Sequence, residues 1–213
     1  MIKHVIFDFD GTIVDSMDLT FRIANELADK YDLKRLDREE YKLLSSLPIK
    51  DRFKKIGISL FKVPSFLVEF LKSYSKYSTE IELIPGLGEL ITELDRKGLK
   101  TSIISSNSVE NIEKFLESKK LSVNKVYSSN GLFSKHKTIK KFMKDFDAEI
   151  DEIIYIGDEL RDINSCKAVG AKIVSVTWGY DPRELLLKGE PDYIADSPSD
   201  ILNIIAECQD AIS

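Results

Sequence analysis

Two aspartates follow the first apolar segment of the chain at alternate positions. The segment covers residues 2–7, and it ends at Asp8 and Asp10, which precede Gly11. A short apolar run that ends near glycine is typical of a buried parallel strand. Ligands bind at the carboxyl ends of such strands, so two acids there are suited to hold a cation beside an anionic substrate. Aspartates that only cap a turn give the same pattern, and this pair alone leaves both interpretations open.

A second pair of acids follows another apolar run, residues 153–156. Gly157 separates this run from Asp158, and Asp162 lies four residues further on. If a helix begins there, both carboxylates project from one face near its start. Acids in a first turn also cap a helix and complement its dipole, which is the alternative interpretation. Two such clusters at strand ends of one domain favour a functional site.

Hydroxyl and amide side chains follow a third predicted strand, residues 99–104. Ser106 and Asn107 come after its end and before a helical pattern. Hydroxyl, amide and backbone N–H groups at a helix start suit phosphate oxygens. Asn107 and Glu110 also have the spacing of a capping box, so this site is weak evidence by itself.

One lysine of the basic segment 134–144 differs from the others in its helical position. Lys135 falls in line with Ile139, Phe142 and Phe146, which predict a buried stripe. The opposite face, which we expect to be solvated, carries Lys137, Lys140, Lys141 and Lys144. A lysine that faces inward at a helix start needs an anionic partner, because the helix dipole disfavours a cation there. Lys135 is therefore the candidate cation, with a snorkelling side chain as the alternative.

In this order, the four sites resemble the signatures of the haloacid dehalogenase superfamily of aspartyl-nucleophile phosphohydrolases. The signatures are Asp8-Phe9-Asp10-Gly11-Thr12, then Ser106-Asn107, then Lys135, then Gly157-Asp158-Glu159-Leu160-Arg161-Asp162. The resemblance extends over nearly the whole chain and is greatest to the phosphoglycolate-phosphatase-like branch, which has a helical C1-type cap. The third signature departs from that branch, since Ser134 stands where glycine is frequent and no proline follows the lysine.

The resemblance implies a phosphatase mechanism. Asp8 would attack phosphorus and form an aspartyl-phosphate, which water then hydrolyses. Asp10 would protonate the leaving group and later deprotonate the water. Ser106, Asn107 and Lys135 would neutralise the phosphate oxygens. The expected partner is a small phosphorylated metabolite, and the oligomeric state is left open.

The resemblance also implies a metal site. An all-oxygen set of ligands that retains waters suits Mg²⁺. Its expected protein ligands are Asp8, the backbone carbonyl of Asp10, and Asp158. Asp162 would not bind the metal directly, but would support these ligands or contact the metal through a water molecule.

Other functions can use a similar set of residues. A receiver-like signalling module also combines strand-end acids, a hydroxyl and a lysine, but it has no need of Asp10 or of a helical insertion. A binding subunit without activity is a second alternative, because a fold does not guarantee a function. Within the superfamily, a dehalogenase is disfavoured because halide needs no proton from Asp10. A phosphomutase uses the same acids and remains an alternative function.

Composition excludes several partners and compartments. The chain has 213 residues, is 43% hydrophobic and carries a net charge of −5, which argues against nucleic acid or an anionic membrane as the partner. Cys166 and Cys208 are too few for a disulfide framework. No apolar run approaches the roughly 20 residues that span a bilayer, and no signal peptide is recognisable. We therefore expect a cytoplasmic protein.

The segment between the first two sites does not continue the strand and helix alternation. Residues 15–79 are helical in pattern and predict a small all-helical cap domain inserted after the first strand, with Asp15 or Ser16 as the first N-cap. Its predicted apolar stripes are Met17, Phe21, Ala24, Leu27 and Tyr31, and then Leu67, Phe70, Leu71, Tyr74 and Tyr77. Residues 1–14 and 80–213 predict an α/β core, a doubly wound parallel sheet of Rossmann-like type.

The cap segment 48–55 is the expected place for substrate selection. Lys50 and Arg52 there are candidates to bind a substrate carboxylate, as a phosphoglycolate-like compound would require. Ordinary solvated charges explain both residues equally well.

Overall fold

A computed structural model describes residues 1–45, 47, 49–78, 80–129 and 134–210, without the side chains of residues 42, 45, 49 and 50. Thr79, at the predicted domain boundary, Pro48, and the side chain of Lys50 therefore lie outside the description. The strands are β1 His4–Phe7, β2 Val14–Asp15, β3 Glu82–Leu83, β4 Lys100–Ser105, β5 Lys125–Ser128, β6 Ile153–Gly157, β7 Lys172–Val176 and β8 Tyr193–Ala195. The helices are α1 Met17–Tyr31, α2 Arg38–Ser45, α3 Ile49–Lys55, α4 Val63–Tyr77, α5 Leu87–Arg96, α6 Val109–Lys119, α7 Lys135–Phe146, α8 Leu160–Lys167, α9 Arg183–Lys188 and α10 Pro198–Asp210, with a 3₁₀ turn at Ile150–Glu152.

Six strands form one parallel sheet in the order β5-β4-β1-β6-β7-β8. The chain starts at β1, builds outward through β4 and β5, and then returns to the other side of β1 to build outward again. The direction of winding therefore reverses between β1 and β6. In open α/β sheets a crevice for ligands opens at the carboxyl ends of the strands at this point. The predicted doubly wound α/β fold is confirmed.

Helices cover both faces of the sheet, which explains why its central strands are apolar throughout. Val5 and Phe7 of β1 pack into one core with α5, α6 and α10, while Ile6 packs into a second core with α7, α8 and α9. Cys166 is a free cysteine and is buried in the second core, to which Ile163 and Leu186 also belong. The parallel sheet is thereby buried on both faces beneath the strand ends.

A helical insertion, α1–α4, leaves the sheet after β1 and returns before α5. Its two connections pair with each other as the antiparallel strands β2 and β3, in which Val14 lies opposite Leu83. The backbone N–H of Ile84 also donates to the carbonyl of Ile13 at 2.9 Å. The insertion is thus joined to the sheet through one short ribbon, close to the acids that follow β1.

The predicted stripe of α1 is correct only at Leu27. The buried residues of this helix are Leu19, Thr20, Ile23, Leu27 and Ala28, whereas the predicted members Met17, Phe21, Ala24 and Tyr31 are half-buried. Apolar residues of α1 are shared between two neighbours. One side packs on α4, and Ala24 lines a cavity on another side. A single stripe cannot describe a helix with two apolar surroundings.

The stripe of α4 is correct only at Tyr74. Phe66 and Tyr74 are buried, while Leu67, Phe70, Leu71 and Tyr77 are half-buried. Leu67, Phe70 and Leu71 line the same cavity as Ala24, which leaves part of their surface uncovered. Among the helices described here, none is long and apolar enough to cross a membrane.

Candidate active site

The two acidic clusters meet at the carboxyl edge of the sheet. Asp8 follows β1 and its backbone N–H donates to the carbonyl of Ile156 in β6 at 2.8 Å. Asp158 follows the end of β6 and is completely buried, as Asp8 nearly is. Adjacency of β1 and β6 at the point where winding reverses brings the clusters together, although about 150 residues separate them in sequence.

Lys135 joins these clusters from the start of α7. Its Nζ donates to Asp8 Oδ2 and to Asp162 Oδ1, both at 2.5 Å, and its side chain is 1% exposed. Burial alone lowers the pKa of this ammonium, but the carboxylates of Asp162 and Asp8 outweigh that effect and the pKa is raised. Lys137 is exposed on the opposite face. The helical position of Lys135 thus predicts its inward orientation.

Asp158 is held rigidly by two donors. The hydroxyl of Thr12 donates to Oδ1 and the backbone N–H of Tyr180 donates to Oδ2, each at 2.8 Å. Gly11, with a φ of +78°, lies so close that a Cβ there would come within 2.2 Å of Oδ2. Glycine therefore suits this position for two reasons: it adopts the left-handed backbone conformation, and it leaves room for the carboxylate of Asp158.

The acids carry more negative charge than their immediate lysine neutralises. Burial first, and then repulsion from Glu159, Asp8 and Asp162, raises the pKa of Asp158 well above its ordinary value. Burial also raises the pKa of Asp162 to about 6 against the opposing attraction of Lys135. Oxygen atoms of Asp8, Asp158 and Asp162 lie within 4.8 Å of one another. An all-carboxylate cluster of this size and charge fits a divalent cation.

The carboxylate of Asp10 points toward different partners. Its Oδ1 accepts from the hydroxyl of Tyr74 at 2.6 Å, and its Oδ2 accepts from Asn107 Nδ2 at 2.9 Å. Burial raises the pKa of Asp10, while the hydrogen bonds from Tyr74, Ser16 and Asn107 oppose the rise. A carboxyl group with a raised pKa suits the transfer of protons near neutral pH.

Asn107 lies in the loop between β4 and α6 and is fixed by several bonds. Its Oδ1 accepts from the backbone N–H of Ser108 at 2.8 Å and from Asn111 Nδ2 at 3.0 Å. The N-cap of α6 is Ser108, whose Oγ accepts from the backbone N–H of Asn111. The capping-box interpretation of Asn107 with Glu110 is therefore wrong, and the amide of Asn107 is directed at Asp10.

Ser106 lies in the same loop and is less buried than Asn107. Its Oγ accepts from Arg161 at 3.3 Å, which links it to the start of α8. Arg161 also forms an ion pair with Glu159, and the charges of Glu159, Asp162 and Asp8 overcome burial and raise the pKa of the guanidinium. An arginine thus lies beside the predicted phosphate-binding hydroxyl.

Arg52 connects the helical insertion to the core. It forms ion pairs with Asp181 and with Glu159, at 3.4 Å for the latter. Burial on its own raises the pKa of Glu159, but Arg161 and Arg52 outweigh it and the pKa is lowered. Burial and the charge of Glu159 raise the pKa of Asp181 to about 6, against Arg52. Arg52, a candidate for a substrate carboxylate, is therefore already engaged by two acids.

Hydroxyl groups form a second set of bonds, which join the insertion to the core and link α1 to α2 within the insertion. The Tyr180 hydroxyl bonds with Ser16 Oγ at 2.9 Å and with Thr20 Oγ1 at 3.0 Å, and the hydroxyl of Tyr41 donates to Thr20 at 2.9 Å. Ser16 is the N-cap residue of α1, but its side chain accepts no capping bond from that helix. It bonds across to the loop after β7 instead.

A cavity of about 330 Å³ lies between the insertion and the strand ends. Asp10, Ser106, Asn107 and Arg161 line it on the side of the core, and apolar residues of α1–α4 line it on the other side. Sites for small molecules are concave, largely apolar and supplied with a few polar groups in this way.

Several side chains of the site have no clear signal in the sequence. Tyr74 is recognisable only as a member of an apolar stripe, and Tyr180 and Asp181 follow β7 without a distinctive pattern. Their position after a parallel strand is the only indication, since ligands bind at such ends. Glu159 and Arg161 lie inside the fourth signature, where only the aspartates have a predicted role.

The fold and the acidic site together define an α/β enzyme with its site at the switch point of a parallel sheet. A family model described as "Haloacid dehalogenase-like hydrolase" matches residues 5–176. The chain belongs to this family of hydrolases.

The chain is similar in sequence to two proteins whose names describe the hydrolysis of phosphate compounds. The chain is 30% identical to the phosphoglycolate phosphatase of Synechococcus elongatus over 208 residues, 97% of this chain and 98% of the relative. It is 26% identical to the pyrophosphatase PpaX of Bacillus mycoides over 211 residues, 96% and 97% of the two chains. The fold is similar to that of the crystal structure of a predicted phosphatase from Clostridium acetobutylicum, with a TM-score of 0.86 at 22% identity over 97% of this chain and 99% of the other. The chain is a phosphatase of the haloacid dehalogenase-like family.

Proposed function

We propose that this phosphatase hydrolyses a small-molecule phosphate monoester with the help of Mg²⁺, through an aspartyl-phosphate on Asp8. The observation that carries the proposal is the position of Asp8, between the ammonium of Lys135 and the acidic cluster with Asp158 and Asp162. A screen of phosphate monoesters with an assay for inorganic phosphate tests it. Release from at least one ester supports the proposal, and no release from any ester contradicts it.

Two carboxyl groups act in the first step, one as the nucleophile and the other as the acid. A carboxylate oxygen of Asp8 attacks phosphorus, and the bond from phosphorus to the ester oxygen breaks. Asp10 delivers its proton to that oxygen, so the alcohol leaves neutral. In the second step Asp10 takes a proton from water, and the hydroxyl attacks the phosphorus of the aspartyl-phosphate. The bond from phosphorus to the Asp8 oxygen breaks and phosphate leaves, so the cycle ends as it began, with Asp8 as a carboxylate and Asp10 protonated.

Charge on the transferring phosphoryl group needs cationic and dipolar partners. Lys135 lies beside Asp8, and Ser106 and Asn107 line the cavity near Asp10. We assign to these three residues the neutralisation of the phosphoryl oxygens. Asp8, the backbone carbonyl of Asp10 and Asp158 would hold Mg²⁺, which would supply further positive charge between the anionic substrate and the acids. Asp162 keeps Lys135 in position through its bond at 2.5 Å.

The helical insertion is proposed to act as a cap domain, residues 15–79, that closes over the site. Its hinges would be the connections near residues 13–15 and 79–83, since the chain leaves and re-enters the sheet domain there. Within them, Val14 and Asp15 pair with Leu83 and Glu82. Contacts across the closed interface come from Tyr74, Arg52 and Ser16. Closure of this kind sequesters a small substrate from bulk water.

Removal of metal is expected to abolish turnover. After treatment with a chelator, phosphate release should fall to background, and added Mg²⁺ should restore it, because the acidic cluster repels an anionic substrate without a cation. Circular dichroism before and after chelation controls for unfolding. Undiminished turnover in the chelated enzyme would exclude the metal from the mechanism.

In Tyr74→Phe, the basic limb of the pH profile of kcat/KM is expected to move to higher pH. The tyrosine hydroxyl stabilises ionised Asp10 and lowers its pKa, so its loss raises that pKa further. Phosphoenzyme formation needs protonated Asp10, and a hydrogen bond to a charged group corresponds to a shift of about one pH unit. Tyr77→Phe, in the same helix but outside the cavity lining, is the matched control. A limb that stays in place, or moves to lower pH, contradicts the assignment of Asp10 as the acid.

A further inference from the structure

The cavity between insertion and core has two chemically different ends. Asp10, Ser106 and Asn107 lie at the end that belongs to the core. The end within the insertion is lined by Leu36, Leu44, Phe53, Phe66, Phe70 and Leu71. A volume of about 330 Å³ falls in the range of pockets for drug-sized ligands, which bury most of their own surface. The larger part of that space is therefore bounded by apolar side chains.

Cations in the described lining are already paired with acids. Arg52 forms ion pairs with Asp181 and Glu159, and Arg161 forms one with Glu159. The Glu159 side chain is 7% exposed, so these pairs are largely shielded from water. A truncated or displaced partner would leave a buried charge without compensation, which is costly. These arginines are thus poorly placed to receive a second anionic group of a substrate.

Hydroxyl groups near the apolar end are engaged as well. Tyr41 and Tyr180 bond with Thr20, and Tyr180 also bonds with Ser16. A carboxylate or a second phosphate that entered the apolar end would lose its hydration without gaining an equivalent partner among these groups. An apolar group would instead gain free energy from the same transfer.

The proposed mechanism fixes which part of a substrate occupies this space. Asp10 protonates the ester oxygen, so the alcohol lies on the side of Asp10. Asp10 lines the cavity, and its neighbour Tyr74 belongs to α4 of the insertion. The alcohol therefore extends from the core end into the apolar end.

We infer that the substrate is a phosphate monoester of an apolar alcohol, aliphatic or aromatic, whose apolar part fills the end of the cavity within α1–α4. The inference rests on the proposed phosphatase function, because the phosphoryl group must occupy the core end. The inferred substrate differs from those in the names of the two relatives, since phosphoglycolate carries a carboxylate and pyrophosphate carries a second phosphoryl group.

A series of alkyl phosphates tests the inference in the wild-type enzyme with Mg²⁺. Methyl, butyl and hexyl phosphate have similar leaving groups, so differences in kcat/KM report contacts of the chain. We expect kcat/KM to rise about three- to fourfold for each added methylene, which follows from about 0.8 kcal/mol per buried methylene. Benzyl phosphate compared with hexyl phosphate distinguishes an aromatic from an aliphatic occupant. A flat series overturns the inference, as does faster turnover of 2-phosphoglycolate or pyrophosphate.

The same experiment separates failure of the inference from failure of the proposed function. If methyl phosphate and 2-phosphoglycolate release phosphate while kcat/KM does not change along the alkyl series, the phosphatase function is supported and the apolar substrate site is contradicted. If no ester is hydrolysed, the proposed function fails. Calorimetric titration with methylphosphonate and hexylphosphonate then still decides the apolar end, since tighter binding of the hexyl compound supports it and equal binding contradicts it.

A variant localises the effect to the cavity. Leu71→Asn replaces an apolar lining side chain by a polar one of similar size, and we expect it to reduce the ratio of kcat/KM for hexyl over methyl phosphate about tenfold. Leu187→Asn makes the same change at a residue of α9 that is 51% exposed, and the ratio should stay as in the wild type. An unchanged ratio in folded Leu71→Asn overturns the assignment. If that variant does not fold, the wild-type series decides.

Discussion

Asp8→Asn is expected to abolish turnover, with a loss of about 10⁴-fold or more in kcat. The substituted amide would retain the shape of the side chain but lack the nucleophilic carboxylate, and the residues that act with Asp8 cannot replace it. Lys135 would keep its second partner, Asp162, so the local structure should persist. Steady-state release of phosphate from the best ester found in the screen measures the loss.

A matched control makes the same chemical change elsewhere. Asp18→Asn alters an exposed aspartate of α1 whose ion pair with Arg38 is open to solvent. Such pairs contribute little, so kcat and stability should both remain near the wild-type values. Near-normal turnover by Asp8→Asn would refute the assignment of the nucleophile, provided that mass spectrometry shows no deamidation of the variant back to aspartate.

Asp10→Asn is expected to slow the hydrolysis of alkyl phosphates by roughly 10²-fold or more, because an amide cannot deliver the proton. With nitrophenyl phosphate the first step should be much less affected, since nitrophenolate leaves without a proton. The second step still needs Asp10 as a base. A burst of nitrophenolate, close to one equivalent per enzyme, should therefore precede a slow steady state.

The pattern across esters is the sharper part of this prediction. Equal losses for alkyl and nitrophenyl phosphate, without a burst, would mean that Asp10 acts on structure or binding. The amide introduced by Asp10→Asn would also be unable to accept from Tyr74 and Asn107 through two oxygens. Thermal unfolding of the variant, compared with Tyr77→Phe and wild type, shows whether that loss changes the fold.

The parts of the fold that the sequence predicts are those with local patterns. Apolar runs that end at acids identify β1 and β6, because strands buried on both faces are apolar throughout. The inward position of Lys135 follows from the helical period of Ile139 and Phe142, which are both buried. In each of these places one physical environment surrounds the element, so its period can be read directly.

Other parts depend on contacts between distant segments and have no local pattern. Arg52 pairs with Asp181, 129 residues away, and Tyr74 bonds Asp10, 64 residues away. α1 lies between α4 and a cavity, so its half-buried residues spread over two faces. Ser16 and Asn107 resemble helix caps in sequence, but their side chains bond across the site. The apolar character of the cavity arises only when α1–α4 come together.

Identification of the residue that carries the phosphoryl group is the most direct test of an aspartyl-phosphate on Asp8. Wild type and Asp10→Asn are mixed with nitrophenyl phosphate and Mg²⁺, quenched in acid within milliseconds to seconds, digested, and mapped by mass spectrometry. We expect phosphate on the peptide that contains Asp8, lasting seconds or less in the wild type and accumulating in Asp10→Asn. Phosphate on another residue contradicts this expectation, as does release of phosphate with no covalent intermediate, or a phosphoaspartate that persists for hours without turnover.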